Sequence, residues 1–296
     1  MRKRVIIVAL ASGLVFGLSL PAAPAAGASG KATLLSARLD GAAEVPGPGD
    51  PDGRGRAFVR LDGARACFVL QWSRISAPVA AHIHEGPAGE SGPVVVPLFE
   101  PTPNAASLPT QLSSAAGCVD VDRGLARKIA AKPHRYYVNI HTADFVDGAV
   151  RGQLHRGRHL DLDLPHQLAA RLSGANEVPP ADPDGRGLAL VETGRKRVCF
   201  AVGWTRIAPP IFAHIHVGAA GVNGDVVVLF FDVPEAVATG PTAALPASIS
   251  AVDGCVAVQD AGLLREIRRN PSGYYVNVHT PEFPPGAIRG QLRRVA

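Results

Sequence analysis

The sequence holds little that would suit it to nucleic acid. Phe, Trp and Tyr make up 5% of its 296 residues, and no extended Lys/Arg block follows Arg4. Base-stacking platforms and phosphate-tracking grooves need what is scarce here, so nucleic acid is excluded as a partner. Signatures of catalysis are missing too. There is no G-x-S-x-G elbow, and Ser91 lies in a Gly-rich turn between Glu90 and Gly92. No Gly-rich segment ends in the Gly-Lys-Ser/Thr of a phosphate loop. None of the four cysteines forms a C-x-x-C pair, which excludes zinc-finger and thioredoxin-like readings. Asp50, Asp52 and Gly53 supply half of a calcium-loop start without its closing Glu, and so read as a turn. A non-enzymatic protein is expected.

What is present begins with a leader. Arg2, Lys3 and Arg4 precede an uncharged run from Val5 to Leu20, then Ala23-Pro24-Ala25 and Ala26-Gly27-Ala28. The run is shorter than the roughly 20 residues a spanning helix needs, and the small residues offer cleavage sites. Residues 1–28 are therefore predicted to be a signal peptide, leaving no membrane span and a protein that is secreted or held in the cell envelope. Removing the leader's three cations lowers the net charge from +5 to about +2, so the basic balance says little about partners.

The remainder is one unit written twice. Arg38-Leu39-Asp40-Gly41-Ala42-Ala43-Glu44-Val45-Pro46 returns as Arg171-Leu172-Ser173-Gly174-Ala175-Asn176-Glu177-Val178-Pro179. Ala81-His82-Ile83-His84 returns as Ala213-His214-Ile215-His216, and Tyr137-Val138-Asn139-Ile140-His141-Thr142 as Tyr275-Val276-Asn277-Val278-His279-Thr280. Arg-Gly-Gln-Leu closes both copies, at Arg151 and Arg289. The offset drifts between 132 and 138, so insertions fall between motifs, where loops tolerate them. Two domains are predicted, at residues 32–154 and 160–293, with a join around His155 to Asp163.

Within a copy, apolar residues alternate or form short β-branched runs, as at Ala57 to Leu61, Cys67 to Trp72, Val94 to Leu98 and Tyr137 to His141. Pro and Gly clusters separate them closely. The pattern predicts an all-β architecture of two tandem antiparallel β-sandwich or barrel domains. One short helix per copy is signalled by Asp122 before Leu125 and Ile129, and by Asp260 before Leu264 and Ile267, each ended by Pro.

The cysteines fall two to a copy. Pairing Cys67 with Cys118 and Cys199 with Cys255 is the economical arrangement, one disulfide per domain. Glu44 with Arg151, and Glu177 with Arg289, are candidate structural ion pairs. The matched histidines are the candidate site. His82 and His84 share one strand face while Ile83 points away, and His214 and His216 do the same. A third imidazole from His141 or His279 would complete a cluster suited to copper or zinc. The alternative, preferred from sequence, is that these side chains hold the Gly-rich loops Gly86 to Gly92 and Gly218 to Gly224 and need no cofactor.

The motifs G-A-A-E-V-P, A-H-I-H-E-G-P-A-G-E-S-G-P-V-V-V-P-L, Y-V-N-I-H-T and G-A-V-R-G-Q-L, in that order and repeated, resemble the CHRD, or chordin-type, domain. The resemblance spans nearly all of the chain after the leader and implies export and β-rich structure. Chordin is an extracellular protein that binds bone morphogenetic proteins; its cysteine-rich growth-factor-binding modules have no counterpart here. The expectation is a secreted binding protein whose partner is an extracellular protein or cell-wall polymer. A copper- or zinc-binding protein is the alternative, by analogy with superoxide-dismutase sandwiches that carry H-x-H on a strand, and a structural envelope protein is the second.

Overall fold

Alternation of apolar and polar side chains creates the first strand. In β1 (Thr33–Asp40) Leu35, Ala37 and Leu39 face inward and are buried, while Ser36 and Arg38 face out. The computed structural model describes residues 32–100, 102, 104–157, 167–235 and 243–295. The predicted signal peptide and the predicted start of the second copy at Leu160 lie outside them.

Copy one continues with β2 (Arg54–Asp62), β3 (Arg65–Ser73), β4 (Pro78–Glu85), β5 (Val94–Phe99) and β6 (Leu112–Asp120). Helix α1 (Arg123–Ala131) follows, then β7 (Tyr136–Thr142), β8 (Val150–Gln153) and β9 (His155–Arg156). Copy two repeats the order: β10 (Leu168–Ser173), β11 (Arg186–Thr193), β12 (Arg197–Thr205), β13 (Phe212–Val217), β14 (Val226–Asp232) and β15 (Ile249–Ala257). It closes with α2 (Ala261–Arg269), β16 (Tyr274–His279), β17 (Ile288–Gln291) and β18 (Arg293–Arg294). The fold is all-β with one short helix per copy, as predicted.

Every pairing is antiparallel. In copy one the strand order is β5-β4-β7-β8-β1-β2-β3-β6, and copy two repeats it as β14-β13-β16-β17-β10-β11-β12-β15. The sheet folds over a core that brings Phe68 and Leu70 of β3 together with Ile83 of β4 and Ile140 of β7. Large aliphatic side chains removed from water here each stabilise by about 1.5–3 kcal/mol. The sequence did not show that the copies share one sheet. Strand β6 pairs with β15, so one edge of each copy is covered by the other.

Both helices start on their predicted caps. Asp122 accepts from the Leu125 amide at 2.8 Å, and Asp260 from the Gly262 and Leu263 amides. Such a cap stabilises a helix by about 1 kcal/mol. Asp50 and its counterpart Asp182 accept from the amides of Gly53 and Gly185 and set the tight turns expected of that segment. The disulfides are Cys67–Cys118 and Cys199–Cys255, each joining residues directly opposite on paired strands, with Cα atoms 3.9 and 4.0 Å apart.

Candidate metal centre

The histidines lie on the outer face of the sheet, beneath loops. Ile83 and Ile215 are fully buried in the core, which turns their neighbours His82, His84, His214 and His216 to the opposite face. Next to β4, strand β7 runs with Ala80 opposite His141, His82 opposite Asn139 and His84 opposite Tyr137. Register thus places the third histidine diagonally beside the pair. Against β5, the register shifts on both sides of the Ile83 step, and β13 shifts likewise against β14. Bulges of this kind re-aim side chains.

Six imidazoles form two triads. His82, His84 and His141 offer one ligand atom each within 4.8 Å of one another, as do His214, His216 and His279. The proximity that sequence could not establish, His141 beside His82, is a ring separation of 4.8 Å; His279 and His214 are 4.9 Å apart.

Backbone carbonyls fix the rings. His84 Nδ1 donates to Gly92 O and His216 Nδ1 to Gly224 O, both at 2.8 Å. His141 Nδ1 donates to Val146 O at 2.9 Å, and His279 Nδ1 to Pro284 O at 2.8 Å. A carbonyl can only accept, so each of these rings carries its proton on Nδ1 and turns the Nε2 lone pair inward. Of the six, His84 and His216 bond to the Gly-rich loops, His141 and His279 bond to the loop that follows their own strand, and in these four rings the bond occupies only one nitrogen. Orientation through Nδ1–H to a carbonyl is the usual outer support of a metal-bound histidine.

In copy two the inward atoms have no partner at all: His214 Nδ1, His216 Nε2 and His279 Nε2 are buried and unbonded. Burial holds His214 down to about 3 and His279 down to about 4, with neighbouring histidines adding to the effect. Burial also lowers His216, His84, His141 and His82, although Glu100 pulls His82 back upward. The triads thus present neutral imidazole, the metal-binding form. Copy one differs in that His82 Nε2 donates to Glu100 Oε1 at 2.9 Å, and His82 Nδ1 lies 3.0 Å from His141 Nε2.

A layered stack supports each centre. The Arg151 guanidinium lies 3.4 Å from the Tyr137 ring centroid, and that ring stacks on His84 at 4.7 Å; Arg289, Tyr275 and His216 repeat the order. Arg151 Nη2 also donates to Pro87 O and Glu90 O, while Arg289 reaches Val222 O and Asn223 Oδ1. These bonds pin the Gly-rich loops over the histidines.

The expected ion pairs are corrected here. Among the described residues, ion pairs within 4.0 Å include Arg60–Asp62 and His82–Glu100, and neither Glu44–Arg151 nor Glu177–Arg289 is one of them. The guanidinium sits over its tyrosine ring and donates to loop carbonyls through Nη2, while Arg151 Nη1 has no partner. Glu44 and Glu177 remain in its field but buried, and desolvation pushes each carboxyl up to about 7. Gly148, at φ +142°, lets the chain pass so close to Glu44 that a Cβ would sit 2.4 Å from its carboxylate.

Sequence reasoning missed Glu100, Tyr137 and Tyr275 as supports. Glu100 had no usable signal, since Asp232 stands in its place in copy two. Tyr137 lay inside a repeated motif, two residues from Asn139 and four from His141, on the same strand face.

Fold and site together define a duplicated, disulfide-bridged, antiparallel β-sheet protein that gathers three histidines in each copy. The family model of the CHRD domain matches residues 35–154 and 168–292, and the chain belongs to that family. No curated protein matches the chain.

Proposed function

We propose that this is a metal-binding protein of the cell exterior or envelope, holding one copper or zinc ion in each copy through His82, His84 and His141, and through His214, His216 and His279. The observation that carries the reading is the trio of buried, unpartnered nitrogens in copy two. An orphaned buried polar atom costs about 1–3 kcal/mol, and three that converge find one natural partner in a cation. Nδ1 bonds from the outer nitrogens and the arginine–tyrosine–histidine stacks supply rigid support.

Export is supported by the basic, apolar and small-residue leader and by two disulfides, which persist in oxidising compartments. No helix among the described residues is long and apolar enough to cross a membrane. The role proposed for each triad is to bind metal rather than to turn over substrate. Elemental analysis of the mature protein tests the proposal. About two equivalents of copper or zinc per chain, reduced to none by His84→Ala with His216→Ala, are expected. A chain that stays metal-free on titration would refute it.

A further inference from the structure

The two triads share ligands but not surroundings. Three of the differences bear on the charge and the packing beside the ligands. Glu100, bonded to His82, is replaced in copy two by Asp232, and His214 makes no such bond. Asp147, whose charge acts on His141, is replaced by Pro285. Ala80, opposite His141, is replaced by Phe212, whose ring lies 4.9 Å from His214 and 4.3 Å from His279. Copy two therefore sets an aromatic ring against two of its ligands and has no carboxylate bonded to one, whereas copy one has the Glu100 bond. Asp225 acts on His216, and an arginine opposes in both copies, Arg289 on His216 and Arg151 on His84.

The cost of desolvating an ion grows with the square of its charge, so a divalent ion needs a nearby carboxylate far more than a monovalent one does. Three neutral nitrogens under an aromatic ring suit a soft monovalent metal that accepts three ligands. Imidazoles backed by carboxylates suit a divalent one. Resting on the metal reading of both triads, we infer that the two sites are specialised: His214, His216 and His279 take copper(I), and His82, His84 and His141 take a divalent copper or zinc ion. The ligand atoms are also spaced differently: His82 Nδ1 and His141 Nε2 lie 3.0 Å apart with their lone pairs facing, whereas His214 Nδ1 and His279 Nε2 have no partner.

The test is titration of the intact chain under anaerobic conditions, with copper(I) against a chromophoric copper(I) chelator and separately with zinc(II). Copper(I) should fill one tight site that survives His84→Gln and is lost in His216→Gln, while zinc(II) shows the reverse dependence. The preference at each site should be at least about tenfold, which corresponds to roughly 1.4 kcal/mol. Phe212→Ala should narrow the preference in copy two without abolishing binding there. Because a histidine variant could misfold, the wild-type chain is also loaded with one equivalent of copper(I) and then one of zinc(II). Both should remain after desalting. If zinc expels the copper, or if copper(I) fills both sites equally, the specialisation is wrong and the metal reading stands. If neither metal binds, the metal reading itself is wrong.

Discussion

Gly117 of copy one lies opposite Ile249 of copy two, at the seam where β6 meets β15. The reciprocal pair also exists: Leu112, which corresponds to Ile249, lies opposite Gly254, which corresponds to Gly117. Residue i meeting j while j meets i is the pattern of a two-fold interface between identical subunits. The duplicated domain meets itself within one chain. Val69, Ala116, Ala201 and Ala251 pack together at the same seam, so the link consists of both backbone pairing and apolar contact.

A buried charge breaks the symmetry. Asp253 takes the place of Ala116, is buried, and accepts from Ser113 Oγ at 2.8 Å, while its other oxygen has no partner. Burial pushes its carboxyl up to about 6, with Ser113 and Ser114 opposing. The folded value lies above the unfolded one, so the protonated form is favoured in the fold. The resulting penalty is absent below about pH 4 and complete above about pH 6. Asp253→Asn should therefore stabilise the chain by about 1–3 kcal/mol at pH 7.5 and by little at pH 4.5, read from urea midpoints. Equal effects at both pH values would contradict this account.

The disulfides close sequence separations of 51 and 56 residues. Replacing Cys67 and Cys118 by Ala should cost about 3–4 kcal/mol in the chain-entropy picture, and removing both bridges roughly twice that if the copies respond independently. Chemical denaturation of the single-bridge and bridge-free chains checks this. A loss below about 1 kcal/mol would place the stabilisation elsewhere, in the shared sheet.

Much of this was legible in sequence because it depends on period. Alternation at Leu35, Ala37 and Leu39 exposes a strand, and His82 with His84 must share a face. The seam was not legible, because strand pairing is made by backbone groups that Leu112–Asp120 shares with any other strand. The supports of the histidines were hidden for another reason. Arg151 beside a buried Glu44 suggests an ion pair on charge alone, yet a guanidinium also has a face, and Tyr137 claims it.

That choice makes Arg151 a sensitive probe. Lys keeps the charge but has no plane to lie over Tyr137, and its side chain ends short of the place from which Arg151 Nη2 donates to both Pro87 O and Glu90 O. Arg151→Lys should cost about 2 kcal/mol of stability and weaken metal binding in copy one about tenfold, leaving copy two unchanged. Thermal unfolding and a metal titration of the same protein decide it; an unchanged affinity would mean that the loop stands without its arginine.

The loop itself offers the sharpest contrast between two glycines. A Cβ on Gly92 would lie 1.7 Å from Glu85 O, so Gly92→Ala must move the carbonyl that receives His84 Nδ1–H. Gly89 sits in the same loop at φ +84° with nothing within 4 Å of its would-be Cβ. Ala there carries only the strain of a left-handed conformation, about 1 kcal/mol. Gly92→Ala should thus lower the metal affinity of copy one by about 10- to 100-fold while Gly89→Ala changes it little, because only the first disturbs what orients the ring. Paired titrations of the two variants, with His216→Gln in both to silence copy two, give the comparison. If both variants bind as the parent does, His84 is oriented by its stack on Tyr137 alone, and the Gly92 carbonyl is dispensable to the centre.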